Sequence, residues 1–237
     1  MESRDQGLGI RSSAFGILLG LRLFLTFSGA VIAGDRTGNG AESRLGISVR
    51  VQDYAHVAPK ILNEAQREAT NILSETGIGV AWVECTGTGL PSEPTCAQPF
   101  RATDLALRIL PQSMAERLPL NGDAFGFAAV STDDRPSFLA SVLYHRVEDL
   151  ARTLGHSRAA MLGYVMAHEI GHLLLGTNSH SPLGIMRARL TREDLLRPLG
   201  FNSGQAEVIR AQVGVRSRLA TQELEMATGT PATRAVQ

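Results

Sequence analysis

The sequence lacks an excess of charge of either sign, because its 237 residues include 23 Lys and Arg and 23 Asp and Glu. A chain without net charge has no bulk electrostatic attraction for nucleic acid or for an anionic membrane surface. We therefore expect no nucleic-acid partner. The sequence also lacks an internal repeat, and its hydrophobic content of 43% permits a packed core. This length suits one domain with additional segments at its ends.

Cysteine is scarce, since Cys85 and Cys96 are the only two in the chain. They do not have Cys-x-x-Cys spacing and have no neighbouring histidine, which disfavours a redox pair or a metal site. In an exported protein this spacing predicts one disulfide that closes a short loop. The chain-entropy model gives such a loop on the order of 3 kcal/mol of stabilisation.

The N-terminal segment has the features of an export signal. Residues 1–33 begin with positive charge, continue in an apolar run over 14–27 and end in small residues at Ala33. This order predicts a cleaved signal peptide and a secreted or extracytoplasmic protein. The alternative is an uncleaved membrane anchor, for which Arg22 in the middle of the run is costly. Residues 34–44 are polar and Gly-rich, and we predict a linker too short for a folded inhibitory pro-domain.

Periodicity predicts an α+β fold. Alternation of apolar and polar residues predicts five strands, over 45–54, 79–84, 104–110, 124–130 and 137–147. Helical spacing predicts a helix from Pro59 to about Gly77 between the first two strands, which implies a parallel crossover. Two further helices are predicted over 157–175 and from Ser203 to about Arg216. The polar segment 219–237 is predicted to be a disordered tail.

The sequence His168-Glu169-Ile170-Gly171-His172 lies in the predicted helix over 157–175. Two histidines four residues apart project about 40° apart on a helix and about 6 Å along its axis. Both imidazoles can therefore bind one metal ion, and Glu169 lies beside them where it can contact a water on that ion.

The surroundings of this motif support a metal rather than surface hydrogen bonds. Apart from Tyr164, residues 161–175 are apolar except for the three motif side chains, and a helix that is apolar all round is buried. A buried carboxylate beside two imidazoles is costly unless it has partners. A divalent cation satisfies all three, and zinc suits histidine ligands best.

From His168 to Met186 the sequence reads HEIGHLLLGTNSHSPLGIM, which resembles the metzincin metallopeptidases and, among them, the matrixins most. In that family a third histidine follows a glycine, and a turn containing methionine follows the third histidine. Here His180 is followed by Ser181, and Gly184-Ile185-Met186 matches a small-apolar-Met triplet. The resemblance implies a zincin-like fold with a mixed five-stranded sheet, a backing helix, an active-site helix and a small C-terminal lobe ending in a helix. It assigns the catalytic domain to residues 45–218.

The spacing differs from the family pattern, which places glycine three residues and the third histidine six residues after the second histidine. Here Gly176 is four residues and His180 is eight residues after His172. One interpretation is that Gly176 turns the chain after a longer helix, so that His180 returns to the metal. The other interpretation places Asn178 at the ligand position, where a neutral amide is a poorer zinc ligand than imidazole.

The resemblance implies a zinc-dependent endopeptidase. His168, His172 and His180 would bind Zn²⁺, Glu169 would be the general base, and Met186 would form an apolar floor below the site. The partner would be a peptide or protein substrate, lying along a sheet edge for which the strand over 124–130 is the candidate. Two alternatives stay open from the sequence: a zinc-binding protein without peptidase activity, and a zinc hydrolase of a non-protein amide.

Overall fold

The computed structural model describes residues 45–85, 94–120, 124–131 and 136–229. The strands are β1 Gly46–Asp53, β2 Gly79–Glu84, β3 Asp104–Leu110, β4 Gly126–Ala128 and β5 Leu139–Leu143. The α-helices are α1 Pro59–Ser74, α2 Gln112–Ala115, α3 Tyr144–Leu154, α4 Arg158–Leu175 and α5 Ser203–Thr228. Short 3₁₀ helices occupy Pro94–Ala97 and Asp194–Leu196.

The five strands form one mixed sheet in the order β2-β1-β3-β5-β4. β1, β2, β3 and β5 are parallel, and β4 pairs antiparallel with β5 at one edge. The helix α1 connects the parallel neighbours β1 and β2, as a parallel crossover requires. The predicted α+β fold with a mixed five-stranded sheet is confirmed, and β4 is an edge strand as predicted.

The helix α4 is the central helix of the core and packs closely on α1. A Cβ added at Gly163 would lie 2.6 Å from Glu68 Cβ and 2.8 Å from Ala65 O, so only glycine allows this approach. Ser157 caps the first turn of α4 by accepting a hydrogen bond from Ala160 N at 3.5 Å. Apolar side chains surround the helix on nearly all sides, and thirteen of its eighteen residues are buried. This burial is the environment predicted for the motif.

The predicted strand over 137–147 is wrong in its second half. Only Leu139–Leu143 is a strand, and the chain continues as α3. The prediction failed because the alternation of β5 continues into α3, whose buried residues Val147 and Ala151 have helical spacing. Gly155 ends α3 in the left-handed conformation with φ 67°.

The predicted helix end near Arg216 is wrong, and the predicted disordered tail over 219–237 is corrected for residues 219–228. The helix α5 continues to Thr228, and residues 230–237 lie outside the described part of the chain. Polarity suggested disorder, but residues 222–227 are Gln, Glu, Leu, Glu, Met and Ala, which are good helix formers. In addition, the Glu223 carboxylate accepts a hydrogen bond from Ala102 N at 3.2 Å, which fixes this part of α5 to the domain.

A buried arginine fixes the middle of α5 to the rest of the domain. Arg216 is 3% exposed. Its guanidinium donates to the carbonyl oxygens of Ala102 at 3.1 Å, Ser137 at 2.6 Å and Leu173 at 3.3 Å. Leu173 lies near the C-terminal end of α4, where a cation is favoured by the helix dipole. Arg216 therefore connects α5 to the end of the helix that carries the motif.

The predicted disulfide is present between Cys85 and Cys96 and connects the end of β2 to the 3₁₀ helix. The predicted signal peptide or anchor over 1–33 and the predicted linker over 34–44 lie outside the described residues. Among the helices in the described residues, none has the length and apolar character needed to cross a membrane.

Candidate metal centre

Three histidine side chains meet beside α4. His168 and His172 lie one turn apart on this helix, and His180 lies in the segment that follows it. The ring centroid of His180 is 5.3 Å from that of His168 and 5.0 Å from that of His172. One ring nitrogen from each residue lies within 4.8 Å of the other two. Three imidazole nitrogens this close together can bind a single metal ion.

A left-handed turn returns the chain from the end of α4 to the two helical histidines. The turn is at Gly176, which has φ 65° and follows the last helical residue, Leu175. Thr177 N donates to the carbonyl oxygen of His172 at 3.3 Å. This is the geometry of the first interpretation of the altered spacing, in which a longer helix is followed by a glycine turn. The turn brings His180 to the cluster.

Backbone carbonyls orient both helical imidazoles. His168 Nδ1 lies 2.7 Å from Ile185 O, and His172 Nδ1 lies 2.8 Å from Thr177 O. Because a carbonyl oxygen can only accept, each Nδ1 carries the hydrogen and donates it. In the neutral rings each Nε2 then has a free lone pair, and the two Nε2 atoms are 3.0 Å apart.

Two lone pairs facing each other at this distance repel unless a proton or a metal ion lies between them. Burial, with a smaller contribution from the nearby His172 and His180 rings and against the hydrogen bond to Ile185, lowers the pKa of His168 to about 4. Burial also lowers the pKa of His172. A proton is therefore disfavoured at neutral pH, and a metal cation is the partner that this donor set fits.

The carboxyl group of Glu169 is buried next to this cluster. Glu169 is 5% exposed, and within the described part of the chain its Oε2 has no hydrogen-bond partner. Burial raises the pKa of this carboxyl group to about 8. A buried carboxyl group without a partner is costly. A cation with a bound water beside it would remove that cost.

The edge strand β4 passes directly over the Glu169 side chain. A Cβ added at Gly126 would lie 2.6 Å from Glu169 Oε1 and 2.6 Å from Ser141 O. The absence of a side chain at Gly126 therefore lets the strand backbone approach the carboxyl group. This contact fixes the position of Glu169 from the side of the sheet.

The predicted floor residue, Met186, is fully buried against α4. A Cβ added at Gly171, between the two helical histidines, would lie 2.7 Å from Met186 Sδ. The turn that carries Met186 is closed by a hydrogen bond from Ser181 N to Met186 O at 2.8 Å. Ile185, which orients His168, belongs to the same turn. The turn therefore positions Met186, the predicted floor, and orients His168, a predicted ligand.

A cavity of about 640 Å³ opens beside the histidines. Its walls come from four parts of the chain: residues 124–128 around β4, residues 164–172 of α4, the segment around His180, and residues 185–190. Asn178, the alternative third ligand, also lines the cavity and is exposed. The three motif residues and His180 thus face one cavity that an edge strand borders.

Several residues of the site carry no signal that the sequence analysis used. Ile185 and Thr177 act through backbone carbonyls, which any residue has. Gly126 had a usable signal, because a glycine inside a strand often marks a close approach of another group. Arg187, which the sequence left unassigned, forms an ion pair with Asp194 that braces the cavity wall.

Comparison with models of protein families gives no match to the sequence. No curated protein matches it either. Among solved structures, the chain is similar to a crystal structure of archaemetzincin from Methanopyrus kandleri. The sequence identity is 14% and the TM-score is 0.44, over 73% of this chain and 99% of that chain.

Proposed function

We propose that the protein is a zinc-dependent hydrolase of the metzincin type that cleaves peptide bonds. His168, His172 and His180 hold the zinc ion, and Glu169 is the general base. The observation that carries the proposal is that the Nε2 atoms of His168 and His172 lie 3.0 Å apart, with the ring of His180 beside them. Ligands oriented by backbone carbonyls before the metal binds are typical of a metal site.

The chemistry follows from where each group lies. When bound, zinc supplies a Lewis acid that polarises the scissile carbonyl and lowers the pKa of water to roughly 7. Glu169 accepts the proton of the attacking water and transfers it to the leaving nitrogen. Its position in the same cavity as the histidines supports this role, because a cation bound there would favour the ionised carboxylate that accepts the proton. Gly126 and β4 hold the carboxyl group in place during the transfer.

The surroundings of the cavity support an extended peptide as the substrate. An edge strand has unpaired backbone groups to which an extended chain can add. β4 is such a strand and lies next to the histidine cluster. Phe125, Phe127 and Leu190 line the cavity together with the site residues, so it suits a large apolar side chain of the substrate.

We further propose that the protein acts outside the cytoplasm. The order of charge, apolar run and small residues in 1–33 supports export. The disulfide between Cys85 and Cys96 is consistent with an oxidising compartment. N-terminal sequencing of the protein recovered from its native host tests this, and an N-terminus at residue 1 in a cytoplasmic fraction would contradict it.

The test of the metal site is zinc content by mass spectrometry, with dissociation constants from chelator competition. We expect one zinc per chain, lost in His168→Ala and weakened at least about tenfold in His180→Ala. Asn178→Ala should keep the affinity, and His156→Ala is a matched control because that ring lies against Tyr164, away from the cluster. If His180→Ala kept full zinc affinity and Asn178→Ala lost it, the third ligand would be Asn178 rather than His180.

The test of the activity is hydrolysis of a peptide library by the zinc-loaded protein. Glu169→Gln should retain zinc and lose at least about a hundredfold in kcat, because it cannot accept the proton. Zinc binding without hydrolysis of any peptide would contradict the peptidase assignment but not the assignment of the metal site. Activity that Glu169→Gln retains would remove the general-base assignment.

A further inference from the structure

The helix α5 has a second apolar face that the described part of the domain leaves partly exposed. Ala206, Ile209, Val213 and Arg216 are buried on the face toward the sheet. At about 120° around the helix from that face lie Val208, Val215, Leu219 and Met226. These four side chains are 42%, 40%, 36% and 77% exposed. We call this second face the α5 stripe.

The α5 stripe follows a heptad repeat. Positions 208, 212, 215, 219, 222 and 226 are separated alternately by four and three residues, which is the spacing of a coiled-coil seam. Four of the six are apolar, and the other two are Gln212 and Gln222. Two copies of the same helix would place each glutamine amide opposite its own counterpart, and amides both donate and accept. A polar residue at a seam position sets register and the number of helices.

The charged residues beside the stripe have the signs that self-pairing requires. In a parallel coiled coil, the residue before an a position faces the partner residue five further along, and the a positions of this stripe are 212, 219 and 226. For Arg218 that residue is Glu223 of the second copy, and the two-fold axis repeats the pair. The Glu223 carboxylate is held in place by Ala102 N at 3.2 Å, so it is already positioned.

A shallow groove adjoins the stripe on the Glu223 side and extends the surface. Phe100 and Phe138 form one wall, with ring centroids 5.6 Å apart, and are 43% and 51% exposed. Leu219 and Met226 of the stripe line the other wall of this groove of about 430 Å³. Exposed apolar groups that adjoin a seam add buried area when a second helix lies along it.

We propose that the α5 stripe is a homodimer interface, in which two copies of this chain pair through parallel α5 helices along residues 208–226. Around the axis of α5, the buried face that contacts the domain lies about 120° from the α5 stripe. A two-fold axis parallel to the paired helices therefore places the two domains on opposite sides of the helix pair. The proposal rests on α5 and the adjoining groove and does not depend on the metal site.

Sedimentation velocity of the purified protein over about a hundredfold range of concentration tests the pairing. We expect a monomer–dimer equilibrium, with Leu219→Lys raising the dimer dissociation constant at least about tenfold. Leu224→Lys is the matched control, since Leu224 is 49% exposed on the same helix but about 140° away from Leu219. A monomer at every concentration, or equal effects of the two variants, would overturn the proposal.

Charge reversal and cross-linking test the register. Arg218→Glu and Glu223→Arg should each weaken the dimer, and the double variant should dimerise more tightly than Glu223→Arg, which lacks the same contact with Ala102 N. Both native cysteines are in the disulfide, so Gln222→Cys adds one free thiol that should form a covalent dimer under mild oxidation. No rescue by the double variant, or no cross-link at 222 in a sample that does dimerise, would overturn the parallel arrangement.

Discussion

Two buried ionisable side chains, Arg216 on α5 and Glu169 on α4, have contrasting environments. Arg216 is 3% exposed, and its guanidinium donates to three backbone carbonyls. Glu169 is 5% exposed, and its Oε2 has no hydrogen-bond partner among the described residues. Burial acts on both, lowering the pKa of Arg216 and raising that of Glu169 to about 8.

The difference separates a group whose hydrogen bonds hold the fold together from a group that the described residues leave without a hydrogen-bond partner. The hydrogen bonds of Arg216 offset the loss of solvation, so this cation stabilises the attachment of α5. Glu169 has no comparable compensation and is more easily accommodated as the neutral acid. The cavity that Glu169 lines is also lined by His168 and His172, whose Nε2 atoms face each other at 3.0 Å. A buried polar group without partners therefore locates the site better than burial alone.

The largest predicted effect on stability is that of Arg216→Met. The variant removes the hydrogen bonds to Ala102, Ser137 and Leu173 and leaves buried carbonyls unpaired, so we expect a loss of about 3–5 kcal/mol in the free energy of unfolding. Denaturant unfolding of the metal-free protein measures it. Arg210→Ala is the control on the same helix, because Arg210 is exposed and donates one hydrogen bond, to Thr76 O, and should cost about 1 kcal/mol. Similar losses of unfolding free energy in the two variants would mean that the buried hydrogen bonds of Arg216 stabilise the fold no more than the exposed one of Arg210.

The second prediction concerns the pH dependence of the metal-free protein. Glu169 has a folded-state pKa of about 8 against an ordinary value of 4.5, so its contribution is present below pH 4.5 and is lost as the pH rises through 8. His168 acts in the opposite sense, because its folded-state pKa of about 4 is below 6.5, and stability is lost as the pH falls from 6.5 through 4. Above pH 6.5 the Glu169 effect is therefore isolated from that of His168.

We expect the metal-free wild type to lose about 2 kcal/mol relative to Glu169→Gln between pH 6.5 and pH 8, since one pKa unit corresponds to about 1.4 kcal/mol. Parallel denaturation curves of the two proteins at each pH measure this difference, and other titrating groups cancel between them. Saturating zinc should reduce the difference, because a cation favours the ionised carboxylate. Parallel pH profiles of the metal-free proteins would show that Glu169 is not the neutral acid that its burial implies.

The sequence predicted the parts of this fold that local patterns determine. The helix α4 was predicted from Ser157 to its last residue because a cap, an apolar run and Gly176 mark it within one stretch of chain. Four of the five strands were located because alternation of apolar and polar residues is also a local pattern. The helix α3 was missed because the alternation of β5 hides its start, and the length of α5 was missed because polarity was weighed above helix propensity.

The site was predicted as residues but not as geometry. The spacing left both His180 and Asn178 as third ligands, and the structure places the ring of His180 against the other two rings. The carbonyls of Ile185 and Thr177 could not be predicted, because a backbone group is the same at every position and only the turns of the chain bring it to a given ring. Residues that act through long-range backbone contacts leave little trace in a single sequence.

The third and smallest prediction tests one such contact, that of Gly126 with Glu169. In Gly126→Ala the new methyl group would lie 2.6 Å from Glu169 Oε1 and from Ser141 O, so β4 or the carboxyl group must move. We expect a loss of about 1–2 kcal/mol in unfolding free energy and a fall in peptide hydrolysis of about tenfold. Gly79→Ala is the control in the other edge strand, where the nearest atom, Leu45 O, is 3.8 Å away. If both variants keep wild-type stability and activity, contact with β4 does not hold the carboxyl group, and its position must be set by α4 alone.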